Sequence, residues 1–395
     1  MISKDYKIVE VVDKNTEILF LYGTNYIYKD DGNWVPVLDI DIKNHFNVKK
    51  NNLLEEGKAK RWIIVDEENK VLGRISAFFH PKKANVYEQP TGGLGFFECI
   101  DDFDIASLLF NTAIDWLKEF GIEAVDGPIN LGENFTNWGM LYEGHVQQMY
   151  GMQYHPKYYK KLFETFGFKI FYKQFTYRIK PNEVSPRILK IGKWVDDKKR
   201  FTARHFREGE KVNFSNDLAK AFNVIWSSFK EDFTNVTGNE ILKILEDAKF
   251  ILDPKLVWVI YDKENPIAVA VMIPDVNQII KKTNGKMSLV NIIKLLYYRK
   301  KKVVNRIRSI IIGVAPDYQK QGVEALIFHK VGQVFDRNQY TELEFSWVGD
   351  FNLKMQDTVK SVGAKKVSTH VTYRYLFDRN KEFVRYPIDS HLEKD

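Results

Sequence analysis

Apolar residues recur along this chain at two different spacings, and the switch between them lays out the elements. The run from Trp62 to Val65 is apolar, breaks at the polar turn Asp66 to Asn69, and resumes from Val71 to Phe79. Two short apolar runs around such a turn predict a β-hairpin. A second hairpin is expected where Trp258 to Tyr261 leads through Asp262, Lys263, Glu264 and Asn265 to the apolar run 267–273. From Ile105 the period lengthens: Ile105, Leu108, Leu109, Ala113 and Trp116 fall on one face of a helix expected over 105–120. Further strands are expected at 93–99, 123–126, 309–314 and 342–347, a second long helix at 323–337, and helical regions at 39–52 and 217–247. This alternation predicts an α/β (α+β) protein of twisted mixed sheets flanked by helices.

The two hairpins are copies. Trp62 and Trp258 stand 196 residues apart, as do Asp66 and Asp262, Glu68 and Glu264, and Asn69 and Asn265. The same offset returns later: Gly167, Lys169, Thr176, Tyr177 and Arg178 reappear as Gly363, Lys365, Thr372, Tyr373 and Arg374. Two matches at one offset, on corresponding elements, predict a tandem duplication. Extra chain falls in different places, at 277–306 in the second half and 127–155 in the first, and the two insertions nearly cancel. The polar stretch 180–194, with Pro181, Pro186 and Gly192, is the expected boundary. It gives a first domain over 1–180 and a second over 190–395.

The composition, 44% hydrophobic and 28% charged over 395 residues, is that of a globular protein. The net charge of +7 is uneven: 280–308 carries ten Lys or Arg and no acid, which leaves the rest at −3. Within that segment Ser288 can cap a helix, and Leu289, Ile292, Ile293 and Leu296 form a stripe ahead of the basic run Arg299 to Lys302. The stripe is expected to pack on the domain with its charges solvated; a membrane or nucleic-acid surface is the alternative. Cys99 is the only cysteine, so no intramolecular disulfide is available and a reducing compartment fits. With no leader in the first residues and no apolar run of ~18 residues, a cytoplasmic protein without a transmembrane segment is expected. The eight His show no ligand spacing, so no metal site is expected.

The most informative stretch is 310–326, an apolar strand followed by Pro316, a polar loop with Gly322, and a helix. Free amides at a helix N-terminus, in a loop open enough for close approach, make a cradle for a pyrophosphate; the plainer reading is an ordinary strand-to-helix turn. Val314, Pro316, Tyr318, Gln319, Gly322 and Val323 resemble the acyl-CoA-binding motif of the GCN5-related N-acetyltransferase (GNAT) superfamily. The resemblance implies acetyl-CoA or another acyl-CoA as cofactor, held by Ile312, Val314, Gln319, Lys320, Gln321, Gly322 and Val323. A second family motif keeps Asn352 and Gly363, which adds Asn352 to the cofactor set. Glu324 stands where the family usually has Gly or Ala. Val359 stands where many members place a tyrosine that protonates the departing thiolate.

The first half departs further. Asp101, Asp102 and Asp104 replace the phosphate loop and suit a helix N-terminus, and Phe163 replaces the tyrosine. This half resembles a GNAT-like copy without the CoA site. Glu98 ends its central strand, where GNAT enzymes can place a general base; the plainer reading is a solvated strand-end carboxylate. Cys99 is expected to be reduced and not catalytic. The loop 127–155 holds Asn130, Glu133, Asn134, Asn137, Trp138 and Tyr142. It is expected either to line an acceptor pocket, with Asn130, Asn134 and Trp138 as substrate-binding candidates, or to strap the halves together. The whole chain is similar to a group of bacterial tandem GNAT-like proteins. That resemblance implies an acyl-CoA-dependent N-acyltransferase, monomeric or homodimeric, with acetyl-CoA in the C-terminal half and a small-molecule or peptide amine as acceptor. A non-catalytic binding or scaffold protein, and a tandem aminoacyl transferase using charged tRNA, are the alternatives. The absence of interleaved aromatic and basic residues argues against nucleic acid.

Overall fold

The computed structural model describes residues 5–132, 134–227, 235–283, 285–337 and 340–388. The first half contains β1 (Tyr6–Glu10), α1 (Lys14–Tyr22), α2 (Asp39–His45), β2 (Lys58–Asp66), β3 (Val71–Phe79) and α3 (Pro81–Ala84). It continues with β4 (Thr91–Cys99), α4 (Phe103–Lys118), β5 (Ala124–Gly127), β6 (Met140–Glu143), α5 (Tyr159–Phe166) and β7 (Lys169–Ile179). The second half contains α6 (Pro186–Asp197), β8 (Phe201–His205), α7 (Lys211–Ser227), α8 (Gly238–Asp247), β9 (Val257–Asp262) and β10 (Asn265–Pro274). After it come α9 (Asn277–Ile280), α10 (Leu289–Lys300), β11 (Arg306–Val314), α11 (Val323–Arg337), β12 (Glu342–Gly349), α12 (Leu353–Val362) and β13 (Lys365–Leu376).

Both halves follow one plan, and their sheets join. The strand order is β1-β2-β3-β4-β5-β13-β7-β12-β11-β10-β9-β8, with β6 beside β13. The slot next to β5 is therefore filled by β13, the last strand of the other half, and β7 in turn lies beside β12. The halves have exchanged their closing strands.

The hairpins explain why their sequences read as continuous apolar runs. Ile63 and Val65 face a core with α1 and α2, while Trp62 and Ile64 face one with α4 and α5. In the second half Val257, Val259 and Tyr261 face α7 and α8, while Trp258 and Ile260 face α6, α11 and α12. A strand covered on both faces has no polar side to alternate with. Each fully buried Ile or Val contributes roughly 1.5–3 kcal/mol.

One element went unpredicted and one expectation is overturned. The helix α1 was absent from the pattern; it starts at Asp13, whose side chain accepts from the Thr16 amide in a capping box. Three of the four residues of the α10 stripe do not pack on the domain; Ile292 is half-buried. Leu295 is the residue that goes inside, against Ile279 and Val304, and this turns Leu289, Ile293 and Leu296 outward, to 80%, 66% and 43% exposure.

Candidate functional site: an open strand edge and the seam between the halves

The parallel pair β11/β12 runs only from Arg306–Glu342 to Ser309–Phe345, whereas β12, paired with β7 from Leu343–Ile179, shifts register after Phe345 and stays paired with β7 at Val348–Phe175. The far end of β11 thus has a partner on one side only. Its register with β10 sets Ala268 opposite Val314 and Ala270 opposite Ile312, while the next amide, Ala315 N–H, donates to Ile267 O at 2.8 Å. Alternation in an antiparallel ladder then turns the backbone groups of Ile312 and Val314 away from β10, into the gap left by β12. The Val314 carbonyl is met by Gln319 Nε2 at 3.1 Å, and Gln319 Oε1 accepts from Lys354 Nζ on α12. The Val314 amide faces the gap, and Met355 of α12 packs against the same core cluster as Val314.

The loop from this edge to α11 has two residues with left-handed backbone, Lys320 at φ 62° and Gly322 at φ 81°. It delivers the amides of the first turn of α11, which have no acceptor inside the helix, to the same side of the sheet as the gap. Lys320 and Gln321 are exposed, and Val323 is buried as the first core residue of α11. A Cβ on Gly322 would meet Val195 Cγ2 of α6 at 2.8 Å, so this glycine also lets α6 pack closely on the loop. Asn352 caps α12, accepting from the Met355 amide at 3.0 Å. Val359 is fully buried in the core beneath α12. Trp226 packs on Gly313, its Cη2 2.9 Å from where a Cβ would stand; nothing in the sequence pattern marked it.

Glu98 is not part of this edge. It stands on β4, which β5, β13, β7 and β12 separate from β11, a span of ~24 Å at normal strand spacing. Its carboxylate is held by Tyr28 Oη at 2.5 Å, Tyr159 Oη at 2.8 Å and Arg74 at 3.5 Å. Burial raises its pKa, opposed by Arg74 and the two hydroxyls. Tyr159 Oη also accepts from the Cys99 amide at 2.8 Å, and Tyr158 Oη donates to the Cys99 carbonyl at 2.7 Å. In the first half the gap beside β4 is filled, because Ile129 N–H follows β5 back to Leu94 O at 2.8 Å. Asp102 caps α4 through the amides of Asp104 and Ile105. Cys99 is fully buried, and burial pushes its thiol pKa up.

The loop 127–155 crosses the seam. Arg308 of β11, 1% exposed, donates to Phe135 O at 2.8 Å, Tyr150 O at 3.0 Å and Ser346 Oγ at 2.8 Å. Burial lowers its pKa to about 10, so it stays charged at neutral pH. Tyr150 N–H donates to Asp275, itself paired with Arg306, and Tyr150 Oη donates to Asp41, whose pKa burial raises to about 6. The acceptor candidates take part in holding the loop. Asn130 Nδ2 donates to Thr136 O at 2.5 Å, Asn134 O accepts from Trp347 Nε1 at 2.9 Å, and Trp138 Nε1 donates to Tyr172 Oη at 2.8 Å. Glu133 lies outside the described residues. Two clefts, of about 600 Å³ beside β2 and about 350 Å³ between α6 and α11, are lined by none of the residues 310–323.

The repeat at offset 196 has a structural meaning at this seam. Arg178 of β7 donates to Glu344 of β12 at 2.8 Å, and Arg374 of β13 binds Asp126 of β5 through two contacts of 2.7 and 2.8 Å. Each exchanged strand carries one arginine into a carboxylate of the other half.

Three solved structures share this architecture over nearly the whole chain. The first is the glucosamine N-acetyltransferase region of a fungal multi-domain GH3 β-N-acetylglucosaminidase, with TM-score 0.56, 12% identity, 94% of this chain and 38% of that one. The second is a tandem GNAT protein from the clavulanic acid biosynthesis pathway, with TM-score 0.54, 6% identity, 95% of this chain and 100% of that one. The third is a GCN5-related N-acetyltransferase from Sphaerobacter thermophilus, with TM-score 0.51, 11% identity, and 96% and 98% of the two chains. The chain has the tandem GNAT fold. No family model matches the sequence. Two curated proteins are similar to it along most of their length. Protein YghO of Escherichia coli strain K12 is 25% identical over 380 residues, 94% of this chain and 96% of its own. A bacterial ceramide synthase of Caulobacter vibrioides is 25% identical over 358 residues, 87% of this chain and 90% of its own. No helix among the described residues is long and apolar enough to cross a membrane.

Proposed function

We propose that this protein is an acyl-CoA-dependent N-acyltransferase whose second half binds the acyl-CoA. One observation carries the reading. At the end of β11 a backbone amide faces an open gap, and the loop leading to the start of α11 lies beside it. The Ile312 and Val314 backbone would receive the pantetheine amides, and the amides of 320–324, with Lys320, would receive the pyrophosphate. The bound thioester supplies the acyl group. The Val314 amide would donate to the thioester carbonyl as negative charge builds there under attack by an amine. The residue at the tyrosine-acid position, Val359, has no proton to give, so water protonates the leaving thiolate. Glu98, ~24 Å away by strand count, takes no part in this step. The 127–155 loop, seated on β11 by Arg308, bounds the acceptor side and brings Asn134 and Trp138 toward it. The ceramide synthase among the similar proteins is in keeping with an acyltransferase reading.

Calorimetric titration of acetyl-CoA and a longer acyl-CoA tests the proposal. Lys320→Glu should weaken binding at least ~10-fold, a change of about 1.4 kcal/mol. Glu324→Ala should leave binding level or tighten it. Hydrogen exchange with ligand should slow at 312–325 and stay unchanged at 98–105. If no acyl-CoA binds at millimolar concentration, the enzyme reading fails and a non-catalytic scaffold takes its place.

A further inference from the structure

The second half carries a surface that the acyl-CoA reading does not use. Leu289, Val290, Ile293, Leu296 and Tyr297 occupy one arc of α10 and are 80%, 61%, 66%, 43% and 56% exposed. Their spacing of one, three, three and one residues puts them on adjoining turns of a single face. The helix is held firmly underneath by other groups. Leu295 packs on Ile279 and Val304, and Ser288 caps the first turn through the Asn291 amide. Arg299 donates to the carbonyls of Phe250 and Leu252 at 2.8 and 2.7 Å. The arc is thus displayed by a fixed helix.

Its neighbourhood extends the same character. Gly285 O accepts from the Asp39 amide, which brings Val37 and Ile40, 38% and 41% exposed, alongside the start of α10. The charge carried by the segment itself has one sign; the acid that borders it, Asp39, accepts from the Met287 amide and is paired with Lys43. No acidic residue occurs between Asp275 and Asp317, while Lys286 precedes the helix, Lys294 borders the arc, and Lys300, Lys301 and Lys302 follow its end.

We propose that this face docks on an anionic lipid bilayer. Branched aliphatic side chains at the centre of a basic rim lose water contact when they enter the boundary between headgroups and acyl chains, and the lysines reach lipid phosphates around them. Tyr297 at the edge supplies the amphipathic ring that such a boundary favours. A nucleic acid would satisfy the lysines but offers nothing to Leu289, Val290 and Ile293, whose faces neither stack on bases nor hydrogen-bond to them. The proposal rests on this surface alone and stands whether or not the second half binds acyl-CoA.

Flotation of the full chain with vesicles tests it, using phosphatidylcholine alone and phosphatidylcholine with 30% phosphatidylglycerol. Binding is expected to the mixed vesicles and at least ~10-fold less to the neutral ones. Ile293→Glu, and separately Lys294→Glu with Lys300→Glu and Lys301→Glu, should each reduce it at least ~10-fold. All the substituted side chains reach solvent, so the melting temperature should stay within a few degrees, and circular dichroism checks this. Absence of wild-type binding, equal binding to both vesicles, or folded variants that bind normally would each overturn the proposal. So would binding to duplex DNA or RNA that is stronger than to vesicles, or self-association that Ile293→Glu abolishes.

Discussion

Cys99 and Val314 end equivalent strands, and the chain treats them in opposite ways. In both, the register turns the amide and carbonyl toward the gap between the central parallel strands. In the first half Tyr158 and Tyr159 reach across from α5 and occupy both groups. At the same offset of 196 the second half has Lys354 and Met355. Lys354 steadies Gln319 on the Val314 carbonyl, and Met355, a weak acceptor at best, leaves the amide facing the gap. The strand-end register is the same in both copies; in the first half the backbone at Ile129 and two tyrosines close the edge, while in the second Lys354 and Met355 leave the Val314 amide facing the gap.

The symmetric part of this comparison can be broken most severely. Removing Arg374 or Arg178 strands Asp126 or Glu344 as a buried carboxylate without its partner. Each of Arg374→Met and Arg178→Met should cost about 3–5 kcal/mol in urea unfolding. If one costs much and the other almost nothing, the two strand exchanges are not equivalent.

The asymmetric loop 127–155 offers a pH test. His45 Nε2 lies 3.5 Å from Asn137 Nδ2, and His370 Nε2 donates to Gln153 O at 2.8 Å. Burial lowers both from 6.5 to about 4. Between these values the unfolded chain binds the protons that the folded chain refuses, so stability falls as pH drops from 6.5 to 4 and is unaffected by these groups above that window. The loss reaches about 3 kcal/mol per histidine at most. Thermal melts over this range should show the slope, and His45→Gln should make it shallower; an unchanged slope would mean that His45 titrates as it does in the unfolded chain.

The smallest effect on stability addresses the contrast itself. Tyr159→Phe removes the acceptor for the Cys99 amide and one donor to Glu98, and should cost about 1–3 kcal/mol. The reciprocal Met355→Tyr should close the second edge, weakening acyl-CoA at least ~10-fold while leaving the melting temperature nearly unchanged. Normal binding by a folded Met355→Tyr protein would show that the ligand does not use the Val314 amide.

Much of this was legible from residues alone. Hairpins, long helices and the strand–loop–helix at 310–326 follow from periodicity and turn chemistry, and the repeat marked Arg178 and Arg374 without saying what they bind. The exchange of β7 and β13 was hidden because two strands with the same Thr-Tyr-Arg pattern give no local sign of which neighbour each prefers. Tyr28, Tyr159 and Arg308 were missed for a related reason: their partners lie 70, 61 and 173 residues away, at Glu98, Glu98 and Phe135. The α10 stripe faces outward because a one-residue change of helical phase, here set by Leu295, rotates the buried face by about 100°.

The position of β13 also bears on how the molecule is made. Its arginine meets a partner that left the ribosome 248 residues earlier. Until then β5 waits in the middle of the sheet with a bare edge, since the strand that belongs there has not been translated. Domains usually fold in order of synthesis, each sealed before the next appears. Here the centre is completed last, so the nascent first half is an open template for stray strand pairing, and a chaperone that shields the β5 edge during translation would raise the yield of native protein more than one acting after release.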